Sequence, residues 1–362
     1  MKKVFNFNFR GREIVVEHGE MAKQAHGAVL VRYGDTVILS TAVVAPTANL
    51  LSDFFPLMVL YNEKLYSVGK IPGGFIKREG RPTDAATLAA RMIDRPLRPL
   101  FPEDFRNEVQ VVNTVLSVDK DNSPELTALL GSSLAVSISK IPFNGPIAAV
   151  KVGRVNGEFV INPTVAELEV SDIDLTVAGT KEAINMVEAG AREVSEQDML
   201  DALMFGHEAI KELISFEEEI IKEIGVEKME YPKLEIDDNL KQEVDEFCRD
   251  RIDTSLRIKD KLEKYAAIDK IKEDLTNKYK ELYEDVMKPN DYQELITKVL
   301  LVFNEIEYEI FRNIVVKEHT RADGRKMDEI RPLSTAIDIL PRTHGSAMFT
   351  RGQTQSLATV TL

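Results

Sequence analysis

The sequence predicts an α+β protein: a core of mixed sheet packed with helices over residues 1–208, an all-helical domain over 209–318, and the opening of a second, incomplete copy of the core over 319–362. Three observations carry this reading. Up to about residue 205, β-branched runs such as "TVILSTAVVAP" and "EVQVVNTVLSV" alternate with helix-like stretches and frequent glycine, the texture of strands packed with helices. After Gly206 that texture ends. From His207 to Asp323 the only glycine is Gly225, and "EAIKELISFEEEIIKEI", "NLKQEVDEFCRDRI" and "YQELITKVLLVFNEIEYEIFRNIVVKE" repeat apolar residues at spacings of three and four, as amphipathic helices do. Finally, "HGAVLVRYGDTVILST" (26–41) aligns without a gap on "HGSAMFTRGQTQSLAT" (344–359), with His, Gly, Gly, Thr and Thr coinciding at a constant offset of 318.

Taken in chain order, "MKKVFNFNF" alternates Phe5, Phe7 and Phe9 with Asn6 and Asn8, a strand period rather than the apolar core of a signal peptide. No apolar run reaches membrane-spanning length. "RPTDAATLAARMIDRPLRPLF" reads as a helix with Thr83 as N-cap, Asp84 in its first turn and Pro96 at its end; Ala85, Leu88, Ala89 and Met92 form the expected buried stripe. Ser123 and Pro124 begin a second helix. The charged middle helices are expected to carry solvated faces with i,i+4 pairing. The last ~40 residues are too few to bury a core, so this tail is expected to be mispaired, frayed or docked on the first copy, and the chain to be the front part of a longer protein.

Composition narrows the function. The 362 residues carry a formal net charge of −14, which argues against coating nucleic acid by bulk attraction and requires any polyanion partner to be met by a local basic patch. Cys248 is the only cysteine, so a disulfide framework and a cysteine zinc knuckle are excluded and a reducing, cytosolic compartment is the default. The five histidines (His18, His26, His207, His319 and His344) show no ligand spacing.

A basic focus does exist. From Lys64 to Arg98 there are eight Lys or Arg against three acids, centred on the loop "KIPGGFIKREGRP" (70–82). Gly73 and Gly74 allow close backbone approach to a ligand, and Phe75 offers a face for a base. A solvent-exposed hairpin tip with an apolar anchor would read the same way. No GxxxxGK[ST] phosphate loop is present.

Four stretches, "GKIPGGFIKREGRPTDAATLAARMIDRPLRPLFP", "IPFNGPIAAVKVG", "SDIDLTVAGT" and "RADGRKMDEIRPLSTAIDILPRTHGSAMFTRGQTQSLATVTL", closely resemble the polynucleotide phosphorylases. The resemblance covers essentially the whole chain. It implies a first RNase PH-like core with an internal boundary near residue 142, an all-helical linker domain, and the start of a second RNase PH-like core. It further implies a cytoplasmic homotrimeric ring that degrades single-stranded RNA from its 3′ end with inorganic phosphate, releases nucleoside diphosphates, can run in reverse as a polymerase, and uses Mg2+. The rest of the second core and the KH and OB-type RNA-binding modules of the family are not in this sequence.

In that family the loop after the glycine pair usually reads Phe-Phe-Arg-Arg and grips RNA in the central channel; here it is Phe75-Ile76-Lys77-Arg78. The change keeps the charge but loses one guanidinium fork and one stacking face. The resemblance thus assigns RNA contacts to Phe75, Lys77 and Arg78 with Gly73 and Gly74. Arg81, Arg91, Arg95 and Arg98 become candidates for phosphate contacts or salt bridges, with a structural role favoured for these four. Catalytic residues are not expected in this span. The family's active core has a Gly-Ser-Ser-Ser run and two aspartates six apart followed by a lysine, whereas here Asp174 keeps one carboxylate and Leu168 and Thr176 replace the other aspartate and the lysine. The serine run aligns with "LTALL" (126–130), and Gly131, Ser132 and Ser133 beyond it are expected to be packing residues. Asp172 and Asp174 are the carboxylates a metal could still use, although no metal is expected in this chain: the Mg2+ site, the aspartates, lysine and serines of the second copy would fall after Leu362.

Overall fold

The computed structural model describes every residue except Met1, Leu51, Asp53 and Ile76. The chain divides into two compact units, Met1–Leu234 and Glu235–Leu362.

The first unit opens on an antiparallel meander, β1 (Lys3–Phe9), β2 (Arg12–His18), β3 (Gly27–Tyr33) and β4 (Thr36–Ala48), paired in sequence order. Side-chain alternation sets its faces: Phe5, Phe7 and Phe9 turn toward the core while Asn6 and Asn8 stay exposed. β5 (Leu57–Glu63) then runs parallel to β6 (Asn107–Ser117), and the crossover between them contains helix α1 (Asp84–Leu97), packed on β5. With β6 antiparallel to β4, the sheet order is β1-β2-β3-β4-β6-β5.

Helix α2 (Pro124–Ile138) follows, with the Ser123 hydroxyl accepting from Leu126 N at 3.2 Å. A second antiparallel sheet, β7 (Ala148–Val155), β8 (Glu158–Ile161), β9 (Ile173–Gly179) and β10 (Ile184–Ala191), has the order β10-β9-β7-β8. Its connections include the short α3 (Val165–Val170), and it is covered by the long α4 (Glu196–Ile224). α2 packs against both sheets, and every residue from Leu126 to Ile138 is buried. Gly131 is required there, since a Cβ would lie 2.2 Å from Ser40 Oγ.

Two expectations for α1 are corrected. Its buried residues are Ala86, Met92, Ile93, Pro96 and Leu97, whereas Ala85 and Leu88 are exposed: the 86/93/97 line faces β5, and helical spacing alone offered either line. Pro96 lies inside the last turn rather than beyond it, where its missing N–H costs one bond and its ring is buried. α4 is one continuous helix whose Ala209, Ile210, Leu213, Ile214, Phe216 and Ile220 pack in the core of the first compact unit, which extends to Leu234.

In the second unit, α5 (Asp238–Leu256), α6 (Lys261–Tyr283) and α7 (Pro289–Glu318) pack around Val244, Cys248, Ile252, Leu275, Val299 and Phe303. Burial pushes the Cys248 thiol up to about 11, leaving it a core side chain. The tail is neither frayed nor mispaired: β11 (Leu333–Ile337), β12 (Gly345–Arg351) and β13 (Thr354–Val360) form an antiparallel meander within this unit.

The meander reproduces β2-β3-β4 closely. β12 and β13 begin 318 residues after β3 and β4; Gly34 and Gly352 hold the two hairpin turns at φ +57° and +61°. His26 Nδ1 accepts from Val44 N at 3.0 Å, and His344 Nδ1 accepts from Leu362 N at 2.9 Å, again 318 residues on. Hydrogen-bonding geometry, beyond residue identity, therefore repeats.

Candidate functional site

The basic loop leaves β5 at Glu63 and enters α1 at Asp84. A single 3-10 turn, Leu65–Val68, starts it and Gly69 ends that turn in the left-handed region at φ +69°. The loop then closes on itself through Glu79, whose carboxylate accepts from Lys64 Nζ at 2.7 Å and from Leu65 N at 2.9 Å. These two donors hold the Glu79 carboxyl below the usual carboxylate range, the Lys64 bond contributing most. At the exit, Thr83 Oγ1 accepts from Ala86 N at 3.0 Å and caps α1. The sequence carries no signal for the role of Glu79, since its separation of 15 residues from Lys64 follows no period.

Above this neck the tip is exposed. Phe75 is 101% exposed and Ile71 80%, although burial of a Phe side chain is worth about 1.5–3 kcal/mol. Gly74 has φ +72° and Lys77, unusually for a non-glycine, +54°; Ile76 lies outside the described residues. Lys77 and Arg78 are exposed and make no ion pair among the described residues. A cleft of 630 Å³ runs beneath the loop, lined among others by Gly73, Arg78 and Arg81.

The other arginines separate. Arg95 pairs with Glu188 of β10. Arg98 grips Asp94 with two bonds of 2.6 and 2.7 Å and donates to the carbonyls of Phe55 and Leu57 at 3.1 Å each; it ties α1 to the start of β5. Arg91 is exposed on α1 without a carboxylate partner among the described residues. The geometry thus groups Gly73, Arg78 and Arg81 at the cleft with Phe75 and Lys77 on the loop tip, and puts Arg95 and Arg98 into packing contacts.

The carboxylates of Asp172 and Asp174 are likewise engaged by protein groups. Asp172 accepts from Arg154 at 2.5 and 2.9 Å, and Arg154 also reaches Asp198 at 3.1 Å. Asp174 pairs with Lys151 at 2.9 Å. Arg154 and Lys151 lie on β7 beside β9, so sheet pairing brings a fixed cation to each carboxylate, and the Arg154 bonds hold the Asp172 carboxyl below its usual range. A divalent ion would have to displace both cations, and no group of three His, Cys, Asp or Glu suited to a metal occurs among the described residues. These residues do not fit a metal. Ser132 Oγ donates to Asn113 Oδ1 at 2.9 Å and Ser133 Oγ accepts from Ile147 N at 2.9 Å, both buried; with Gly131 they are packing groups. No helix among the described residues is long and apolar enough to cross a membrane.

Comparison with known proteins matches three family models to the chain. Residues 10–142 match domain 1 and residues 145–209 domain 2 of the 3′ exoribonuclease family, and residues 239–326 match the model described as polyribonucleotide nucleotidyltransferase, RNA binding domain. The chain is 54% identical over 361 residues to the polyribonucleotide nucleotidyltransferase of Enterococcus faecalis, covering 100% of this chain and 51% of that protein. It is 55% identical to that of Anoxybacillus flavithermus, covering 100% and 50%. It spans about half the length of the curated relatives it matches. A solved structure, rice (Oryza sativa) Rrp46, is similar at 15% identity with a TM-score of 0.46, over 61% of this chain and 94% of that one.

Proposed function

Because the chain belongs to the polyribonucleotide nucleotidyltransferase family, we propose that it is part of an enzyme that shortens RNA from the 3′ end by phosphorolysis, converting RNA and inorganic phosphate to nucleoside diphosphates. In this reading the whole protein is a cytoplasmic homotrimer, and Mg2+ is its divalent ion, held by residues other than those of the first core. The first core contributes the strand-gripping loop: Lys77 and Arg78 meet phosphates, Phe75 stacks on a base, and Gly73 and Gly74 let the backbone come close. Arg81 and Arg91 are available for further phosphates.

The observation that carries the loop assignment is its tip, a wholly exposed aromatic beside two cations without carboxylate partners among the described residues. Each phosphate neutralised on a single strand contributes about −0.7 to the slope of log affinity against log salt. Lys77→Ala with Arg78→Ala should therefore flatten the slope by roughly 1.4 in the whole protein. Phe75→Ala should weaken binding at unchanged slope, because stacking depends little on salt. Unchanged affinity and slope in the double variant would make the loop a structural hairpin.

A second reading concerns this chain's own share. With Asp172 and Asp174 neutralised by Arg154 and Lys151, the first core is best read as a binding and assembly part without chemistry of its own.

A further inference from the structure

The second unit carries its charge unevenly along α6. Where that helix begins, Lys259, Lys261 and Lys264 stand with Arg321, Arg325 and Arg331 around one cleft. α6 runs for 23 residues, about 34 Å, and at its far end the sign reverses. There "EIDDNL" (235–240) and "ELYEDVM" (281–287) hold six carboxylates and no lysine or arginine.

This acidic end contains an apolar groove of 650 Å³, open between the start of α5, the end of α6 and the first turns of α7. Ile236, Leu240, Tyr279, Tyr283, Met287 and Leu295 line it. Tyr279 is 1% exposed in the core of the unit and stacks on Tyr283 with 5.9 Å between ring centroids, so the wall is set by the core itself. The other five are half-buried. Just along the chain, Leu282 and Val286 add exposed apolar surface, Val286 at 81%.

Glu235, Asp237 and Glu243 rim the groove. The Tyr279 hydroxyl donates to Glu243 at 3.3 Å, and Asp237 also caps α5 by accepting from Asn239 N at 2.7 Å. Lys298 is the one cation among the described lining residues, and Glu294 already holds it at 2.8 Å. Such a rim repels phosphates, so a nucleic acid is the wrong occupant. A small cation would satisfy the carboxylates and leave the apolar floor unused. A segment that carries cations on either side of apolar residues uses both.

We propose that this groove docks a partner protein, and that the segment it takes is a basic amphipathic helix. Its apolar side chains, one turn apart, enter against Leu240, Tyr283 and Met287, and its lysines or arginines meet Glu235, Asp237 and Glu243. The surface is separate from the basic loop and does not depend on the loop's role.

The probe is a labelled synthetic peptide of leucine and lysine in the order Leu-Lys-Lys-Leu-Leu-Lys-Leu, repeated once and titrated with the full chain by fluorescence anisotropy. It should bind saturably, and an analogue with serine for every leucine should bind roughly tenfold more weakly. Glu235→Lys with Glu243→Lys should weaken the leucine peptide by roughly tenfold and lessen its salt dependence. Glu108→Lys with Glu158→Lys, the same charge change at exposed strand positions of the first unit, should alter binding by less than about twofold, because salt screens distant charges. Met287→Ser, in the turn after α6, guards against misfolding of the double variant: it should weaken the peptide severalfold at unchanged salt dependence and leave a labelled oligoadenylate unaffected. Equal binding of the two peptides, or equal losses in the two double variants, would reduce the contact to general charge attraction and overturn the proposal. A matching loss of oligoadenylate in Met287→Ser would assign the groove to RNA and overturn it as well. So would displacement of the peptide by spermidine with the same dependence on Glu235 and Glu243, or a dimer of the chain in sedimentation that Glu235→Lys with Glu243→Lys dissolves, since these make the occupant a polyamine or a second copy.

Discussion

Glu217 shows how strongly one buried residue can couple folding to pH. It lies on α4 with no exposure, and neither carboxyl oxygen has a hydrogen bond of good geometry among the described residues; the Ser133 hydroxyl is the polar group close enough to offset part of the effect of burial. Burial raises its pKa well above the ordinary value, so the folded protein holds it as the neutral acid while the unfolded chain ionises near pH 4.3. With the folded pKa above the unfolded one, its contribution is complete below about pH 4.3 and is lost as pH rises through the folded pKa, by at most about 1.4 kcal/mol per pH unit. Glu217→Gln removes this titration at nearly constant shape. Thermal unfolding of both proteins at pH values across the neutral range should show the variant's advantage growing with pH; a constant difference would mean that Glu217 finds a partner in solution.

Among the elements, the two hairpins of the repeat form an internal comparison. Gly34 and Gly352 both hold a left-handed turn that a side chain strains, so the backbone cost of alanine is about equal in each. Their neighbours differ. A Cβ on Gly34 would lie 2.3 Å from Asn122 Nδ2, which is itself fixed by its 2.6 Å bond to Asp119, whereas on Gly352 the nearest atom is Arg331 Cδ at 3.2 Å. Gly34→Ala should therefore lower the melting temperature of the first unit by more than Gly352→Ala lowers that of the second. Calorimetry of the two variants measures the difference, and equal shifts would mean that the Asp119–Asn122 loop yields without cost.

For the whole molecule, the division of labour between copies is the central question. If the first core only binds and assembles, Asp174→Asn and Asp172→Asn in the full-length protein should leave phosphorolytic turnover within about twofold of the parent. Asp172→Asn should still reduce stability, since it weakens the anchor of Arg154, which also reaches Asp198. Turnover with RNA and phosphate and a melting curve on the same samples check both halves. A large loss of kcat with an unchanged melting temperature would put chemistry in the first core.

Local chemistry determined much of this protein from the sequence alone. Strand alternation in Phe5, Phe7 and Phe9, the caps Thr83 and Ser123, and the offset of 318 between hairpins were legible because each depends on neighbours or on a repeated pattern. The glycines and cations of the basic loop were legible for the same reason. Tertiary structure alone decided which line of α1 is buried, that α4 runs unbroken past residue 208, that Glu79 closes the loop, and that Lys151 and Arg154 neutralise Asp174 and Asp172. The physical reason is common to all of these: each is a contact between residues distant in sequence, fixed by sheet register and helix packing, and neither propensity nor spacing along the chain encodes which distant partner arrives.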